Sequence, residues 1–249
     1  ARDRRRFVVL VPQGQPPAPS YFPYDAVLNR KRRELLDEST PPPRLTLDEA
    51  RTAADSGAVL LDGRTPEEFA RGHLRGSINV GLEGRYAEFA GSVVPDDVDI
   101  VLVVEPGYEL EAKNRLARIG FDRVVGFVAD PRAVMADHPD LTQTGSRLTA
   151  PELDARRAEI DDLQLVDVRA PGEHALGSID GARHIPVGQL PDRLDELDVT
   201  RPTVVFCAGG YRSSVAASVL RVAGFPDVSD VIGGYAAWAS VVDAQPSRG

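Results

Sequence analysis

The chain contains the same pattern twice. Leu61-Asp62-Gly63-Arg64-Thr65-Pro66-Glu67-Glu68 returns as Val166-Asp167-Val168-Arg169-Ala170-Pro171-Gly172-Glu173, and the register then holds, with Gly72 opposite Gly177, Leu74 opposite Ile179 and Gly76 opposite Gly181. Solenoid repeats recur about every 20–50 residues, so a repeat this long is a duplicated domain instead. The 249 residues therefore divide into two units, each large enough for its own core.

Each copy opens on a helix-start signal, Thr46 with Glu49 and Thr149 with Glu152, a hydroxyl and a carboxylate spaced to satisfy the orphan amides of a first helical turn. Each then carries a β-branched run, Ile100-Val101-Leu102-Val103-Val104 and Thr203-Val204-Val205-Phe206, which reads as a buried strand. A helix-like stretch follows and ends at Gly120-Phe121 or Gly224-Phe225, where glycine can take the left-handed C-cap conformation. A last short strand comes at residues 123–128 and 228–232. Short apolar strands alternating with helices predict an α/β fold, one mainly parallel sheet per copy with helices on both faces.

The copies are placed at residues 41–144 and 145–249, with Pro41-Pro42-Pro43 as a stiff entry and the polar stretch 142–147 as the separator. Residues 1–40 belong to neither copy. They hold a strand candidate at 7–11 and a basic helix candidate at 25–36, and they read as the tail of a preceding domain or a linker. The only methionine, Met135, is internal, so the chain is expected to be part of something longer.

A formal net charge of -9 argues against a nucleic-acid partner, because neutralising phosphates needs a face rich in Lys and Arg. No apolar run approaches the ~20 residues that span a bilayer, so no membrane partner is expected. The single cysteine, Cys207, allows no internal disulfide and points to a reducing, cytoplasmic compartment. His73, His138, His174 and His184 lack ligand-like spacing, so no metal is expected within the chain. Arg30-Lys31-Arg32-Arg33 reads as a solvated face and Trp238 as a packing anchor.

The chemistry concentrates in Phe206-Cys207-Ala208-Gly209-Gly210-Tyr211-Arg212-Ser213-Ser214, after a strand and before a helix. Amides of a curling loop converge on one point there, and the dipole of the following helix adds positive potential. Gly209 and Gly210 permit the backbone angles that this convergence needs. A cysteine heading such a loop is favoured as thiolate, the nucleophilic form, and Arg212 supplies a fork of donors for an oxyanion or for the loop itself. A buried core cysteine is the bland alternative. Asp62, Arg64, Asp167 and Arg169, at strand ends, are read as residues that fix the next loop, and Glu173 as one that orients an arginine near the site.

With these residues in place the chain resembles a tandem rhodanese, a sulfurtransferase of two homologous domains, over about residues 44–240. The resemblance rests on Asp167-Val168-Arg169, Glu173, Gly181-Ala182-Arg183-His184-Ile185-Pro186, the loop of residues 207–213, Gly224-Phe225 and Gly233-Gly234-Tyr235-Ala236-Ala237-Trp238. It implies that Cys207 takes a sulfane sulfur as a persulfide and passes it to a thiol, sulfite or cyanide. It also implies that the amides of Ala208, Gly209, Gly210, Tyr211 and Arg212 cradle that persulfide, with Asp167, Arg169, Glu173 and Ser213 in support. The implied partners are small sulfur anions and thiols, and no cofactor is expected in this chain.

Copy one departs from the pattern. Aligned by the loops, it offers Glu105-Pro106-Gly107-Tyr108-Glu109-Leu110 against Cys207-Ala208-Gly209-Gly210-Tyr211-Arg212, with no thiol, a proline that lacks an amide, and two carboxylates. It is expected to be a non-catalytic partner that shapes the pocket of copy two. Copy two departs as well, with Ser178 where many relatives carry a histidine and where copy one keeps His73.

Pro17-Ala18-Pro19-Ser20-Tyr21-Phe22 and Leu28-Asn29 are similar to the segment that joins a metallo-β-lactamase-fold persulfide dioxygenase to tandem rhodanese domains. This implies a fused or associated dioxygenase, whose non-haem iron would lie outside this chain. Two other function classes stay open. One is a sulfur-relay or binding module fed by a protein partner. The other is a phosphatase or arsenate reductase of related fold, disfavoured because such loops carry one residue more than the four between Cys207 and Arg212.

Overall fold

The computed structural model describes residues 37–244, so the strand expected at 7–11 and the helix expected at 25–36 lie outside the described residues. Copy one runs β1 (Arg44–Leu45), α1 (Leu47–Asp55), β2 (Val59–Asp62), α2 (Pro66–Arg71), β3 (His73–Leu74), β4 (Ile78–Asn79), α3 (Tyr86–Val93), β5 (Ile100–Val103), α4 (Glu109–Ala117), β6 (Val124–Val128) and α5 (Pro131–Asp137). After β7 (Thr142–Gln143), copy two runs β8 (Ser146–Leu148), α6 (Ala150–Glu159), β9 (Gln164–Asp167), α7 (Pro171–His174), β10 (Arg183–His184), β11 (Thr203–Phe206), α8 (Tyr211–Val222), β12 (Val228–Val231) and α9 (Gly234–Ala244).

The sheets have orders β1-β6-β5-β2-β4 and β10-β9-β11-β12-β8, the same order read from opposite edges, and every pairing within them is parallel. Both expected capping boxes form: Glu49 accepts from the Thr46 amide at 2.8 Å, and Glu152 from that of Thr149 at 2.7 Å. Gly120 and Gly224 end α4 and α8 with φ of 82° and 93°, the left-handed values expected of them. The stretch 142–147 is more structured than a polar separator. Thr142–Gln143 pairs antiparallel with His73–Leu74, and Ser146–Leu148 is already an edge strand of the second sheet, where a partly exposed position accepts polar residues.

Alternation along the strands sorts side chains between the two faces of each sheet. Leu60, Val101 and Val103 point to an outer core with Ala50 of α1 and Met135 of α5, while Val204 and Phe206 point to an outer core with Leu153 of α6 and Trp238 of α9. The opposite faces meet in one shared core that contains Leu61, Ile100, Leu102 and Val104 of copy one and Val166, Val205 and Cys207 of copy two, with α3, α4 and α8 between. The two units are thus joined through the inner faces of their sheets, and Cys207 belongs to the core they share.

Candidate active site

β9 and β11 lie side by side at the centre of the second sheet, and the loops leaving their carboxyl ends build the site. Such crevices beyond strand ends are where open α/β sheets bind ligands. β11 delivers Cys207, which is 1% exposed. The chain then turns through Gly210, whose φ of 105° suits glycine, and starts α8 at Tyr211. In this turn the Gly210 amide donates to Cys207 Sγ at 3.1 Å, and Ser213 Oγ lies 3.6 Å from the sulfur. Although Cys207 belongs to the shared core, its sulfur meets an amide and a hydroxyl, and its charge is felt by the Arg212 guanidinium.

Of the five loop amides expected to form a cradle, that of Gly210 is the one that reaches the sulfur among the described residues. Arg212 is clamped by Glu173 through two bonds, Nη1 to Oε2 at 2.5 Å and Nη2 to Oε1 at 2.7 Å. Glu173 holds the guanidinium above its usual range first, against burial, and the Cys207 sulfur adds to the effect. The Arg212 hydrogen bonds in turn hold the Glu173 carboxyl below its usual range. Glu173 also accepts from the Ala170 amide at 3.0 Å, which ties the ion pair to the start of α7.

Beneath this pair Asp167 is fully buried and accepts from Arg169 Nε at 2.9 Å, Arg169 Nη2 at 2.6 Å and Ser178 Oγ at 2.8 Å, with His174 Nδ1 also at 2.9 Å. Burial pushes the carboxyl up, but the bonds from Arg169, His174 and Ser178 outweigh it and hold Asp167 at about 2. Arg169 continues to the Gly177 carbonyl at 2.6 Å and lies 4.1 Å from the Tyr235 ring centroid. His184 Nε2 meets the Arg169 carbonyl at 2.9 Å, and its ring stacks on His174. Asp167 and Arg169 therefore brace the loop that presents Glu173.

The sheet registers correct the alignment of the two loops. Asp62 pairs with Val103 as Asp167 pairs with Phe206, so Val104, not Glu105, stands at the position of Cys207. Both loops contain glycines, and matching them by composition slips by one residue. Gly107, with φ of 95°, then matches Gly210, and Glu109 matches Arg212. Copy one keeps the turn but reverses its charge: the Gly107 amide, the counterpart of the one on Cys207, donates to the Glu109 carboxylate at 3.0 Å. His73 is structural, stacked on Phe69 at 3.8 Å and held at about 4 chiefly by burial.

Sequence reasoning missed how Tyr211 and α8 engage copy one. Tyr211 turns away from the sulfur and donates to the Gly81 carbonyl at 2.6 Å. Ser214 donates to Asn79 Oδ1 at 2.7 Å, and the Asn79 amide donates to Ser218 Oγ at 2.9 Å. Asn79 Nδ2 reaches the carbonyls of Asp62 and Arg64 at 3.1 and 3.0 Å, so every polar group of this buried side chain is satisfied. Ser214 and Ser218, polar residues four apart and therefore on one face of the helix, were the available signal.

The family model for rhodanese-like domains matches residues 46–129 and 149–241. The chain is similar to the thiosulfate sulfurtransferase GlpE of Pseudomonas paraeruginosa, 40% identical over 100 residues that make up 40% of this chain and 90% of that protein. It is also similar to a sulfurtransferase of Allochromatium vinosum, 35% identical over 38% of this chain and 88% of that protein. Among solved structures, the rhodanese-like domain protein from Staphylococcus aureus is 35% identical and covers 37% of this chain and 90% of that one, with a TM-score of 0.36. No helix among the described residues is long and apolar enough to cross a membrane.

Proposed function

The chain belongs to the rhodanese-like family, with two domains of that fold, and from that membership and its sulfurtransferase relatives we propose that it transfers sulfane sulfur through Cys207. The observation that carries this reading is the Cys207 sulfur accepting from the Gly210 amide at 3.1 Å at the start of α8, whose second residue is the Glu173-clamped Arg212.

The Cys207 thiolate attacks the outer sulfur of thiosulfate, an S–S bond forms to the enzyme, and sulfite leaves with the electron pair of the broken bond. A low-molecular-weight persulfide reacts in the same way and releases a thiolate. A thiol, sulfite or cyanide then attacks the outer sulfur of the cysteine persulfide, and the Cys207 thiolate is regenerated. Arg212 draws the anionic donor in and disperses the charge that grows on the leaving sulfite, and Glu173 keeps its fork aimed at the site. Ala208, Gly209, Tyr211 and Ser213 complete the loop around the outer sulfur, while Asp167 and Arg169 hold Glu173 in place.

Intact mass after exposure to thiosulfate tests the reading: the native chain should gain one sulfur atom, and Cys207→Ser should gain none and turn nothing over. Sulfur transfer by the serine variant at the native rate overturns it. The segment at residues 17–22 supports a fused or associated persulfide dioxygenase as a neighbour in sulfide oxidation, and co-purification of iron-dependent persulfide oxidation with this chain tests that part.

A further inference from the structure

In copy two the space above Arg169 is filled by rings. Tyr235 covers the guanidinium at 4.1 Å and stacks against Trp238 at 5.9 Å. Copy one keeps the lower half of this arrangement, since Arg64 bonds to Asp62 and to the Gly72 carbonyl at 2.9 Å, as Arg169 bonds to Asp167 and Gly177. The upper half is replaced. Val128 pairs with Leu45 as Val231 pairs with Leu148, and two residues further on Asp130 and Gly233 both have left-handed φ, 45° and 71°. Arg132 therefore stands in the place of Tyr235, and Met135 in that of Trp238.

Where the two rings would lie, copy one has an open cleft of about 330 Å³, lined by Arg64, Glu68, Arg71, Arg132, Met135 and Thr142 among others. That size lies within the range of small-molecule sites. Three of the lining side chains are cations and one is a carboxylate. Arg64 is matched by Asp62, and Arg132 is shared between Glu68 and Glu105, but Arg71 has no carboxylate partner among the described residues. The Arg132 side chain is 62% exposed, and ion pairs so exposed contribute little, so its carboxylate acceptors can be exchanged for the oxygens of a ligand.

We propose that this cleft is a binding site for a small tetrahedral oxyanion, with Arg71 and Arg132 as its walls and Arg64 as its floor. No cysteine and no histidine lines the cleft, so the bound anion is held and not turned over. Glu68 is the one carboxylate of the lining and opposes the ligand while it competes for Arg132.

Isothermal titration of the full chain with sulfate at constant ionic strength tests the site, in a Cys207→Ser, Arg212→Ala background that removes the thiol and the cation of the copy-two loop. One saturable site is expected. Arg71→Gln with Arg132→Gln should weaken it at least tenfold, Glu68→Gln should tighten it, and Arg132→Tyr with Met135→Trp, which rebuilds the two rings, should abolish it. Arg71 and Arg132 are exposed, so their replacement leaves the core untouched, and circular dichroism checks each fold. Absence of saturable binding, or binding indifferent to the cleft substitutions, overturns the proposal.

Discussion

Tyr211 starts the helix behind Cys207, yet its phenol donates to the Gly81 carbonyl of the other copy at 2.6 Å and its ring lies 5.7 Å from that of Phe89. The helix that aims its amino terminus at the sulfur is thus anchored in copy one. The fit is close, because a Cβ at Gly84 would stand 2.4 Å from the Tyr211 ring. Gly84→Ala should cost about 1–3 kcal/mol by overpacking and slow sulfur uptake at Cys207. Tyr211→Phe loses one hydrogen bond and should cost about 1 kcal/mol. Thermal unfolding together with the uptake rate checks both, and a native uptake rate for Gly84→Ala would show that the loop tolerates movement of its anchor.

Arg212 is fixed by a two-point ion pair, so its loss differs from that of a free surface charge. Arg212→Ala should slow uptake from thiosulfate by roughly ten- to hundredfold, from a charge-assisted hydrogen bond of ~1.5–3 kcal/mol realised in the transition state. Glu173→Gln keeps the arginine but loosens its aim, and should give a smaller loss in the same direction. Steady-state kinetics with thiosulfate decides, and unchanged kinetics for Arg212→Ala would make the arginine structural.

The two domains were legible from a single chain because their signals are local. The Thr-x-x-Glu boxes, the β-branched runs and the glycine stops each act within one turn or one strand, and duplication shows each of them twice. The exact partner of Cys207 was not legible. A one-residue slip between two glycine-bearing loops leaves composition unchanged, and the pairing of Asp62 with Val103 was needed to place Val104 there. Asn79 was invisible for another reason: its partners Ser214 and Ser218 lie 135 and 139 residues away, and the contact exists because two finished domains dock. Arg212 and Glu173 could be singled out in advance, but their ion pair depends on the Asp167 and Arg169 brace beneath it.

Val104→Cys places a thiol at the true equivalent of Cys207. It should stay unreactive toward sulfane donors, because Pro106 offers no amide, the Gly107 amide is taken by Glu109, and Glu109 replaces the arginine with a negative charge. Adding Glu109→Arg should raise the labelling rate. Intact mass of both variants in a Cys207→Ser background checks this, and labelling of the Val104→Cys variant at the rate of native Cys207 would contradict it.

Asp167 predicts a pH dependence. Its carboxyl is held at about 2 in the fold against an unfolded value near 3.8, so the folded state binds fewer protons than the unfolded one between these values. The group then contributes about 2 kcal/mol that is present above pH ~4 and lost as the pH falls through 2. Asp167→Asn should remove that part of the acid transition and leave Arg169 buried without a counter-charge, at about 3–5 kcal/mol. Denaturant unfolding between pH 2 and 7 measures both, and an acid limb unchanged in the asparagine variant would sink the assignment.

Separating the copies should weaken the chemistry even though the hydrogen-bond partners of the Cys207 sulfur among the described residues, Gly210 and Ser213, belong to copy two. A fragment of residues 145–249 would turn outward the face of α8 that now carries Val215, Ala216 and Val219 into the shared core, and would strip Tyr211, Ser214 and Ser218 of Gly81 and Asn79. Arg147 would also lose Glu67, which it meets at 2.6 Å, and keep only Asp230. The exposed apolar surface favours self-association, and the unpinned helix lets the Gly210 amide drift from the sulfur. Sulfur uptake at Cys207 should therefore be slower in the fragment than in the tandem chain, and adding the separate 37–144 fragment should restore part of the rate. Circular dichroism and sedimentation establish that the fragment is folded and monomeric before the rates are compared. Equal rates from such a fragment would reduce copy one to a spacer, and Asn79, Gly81 and Gly84 would then bear on stability alone.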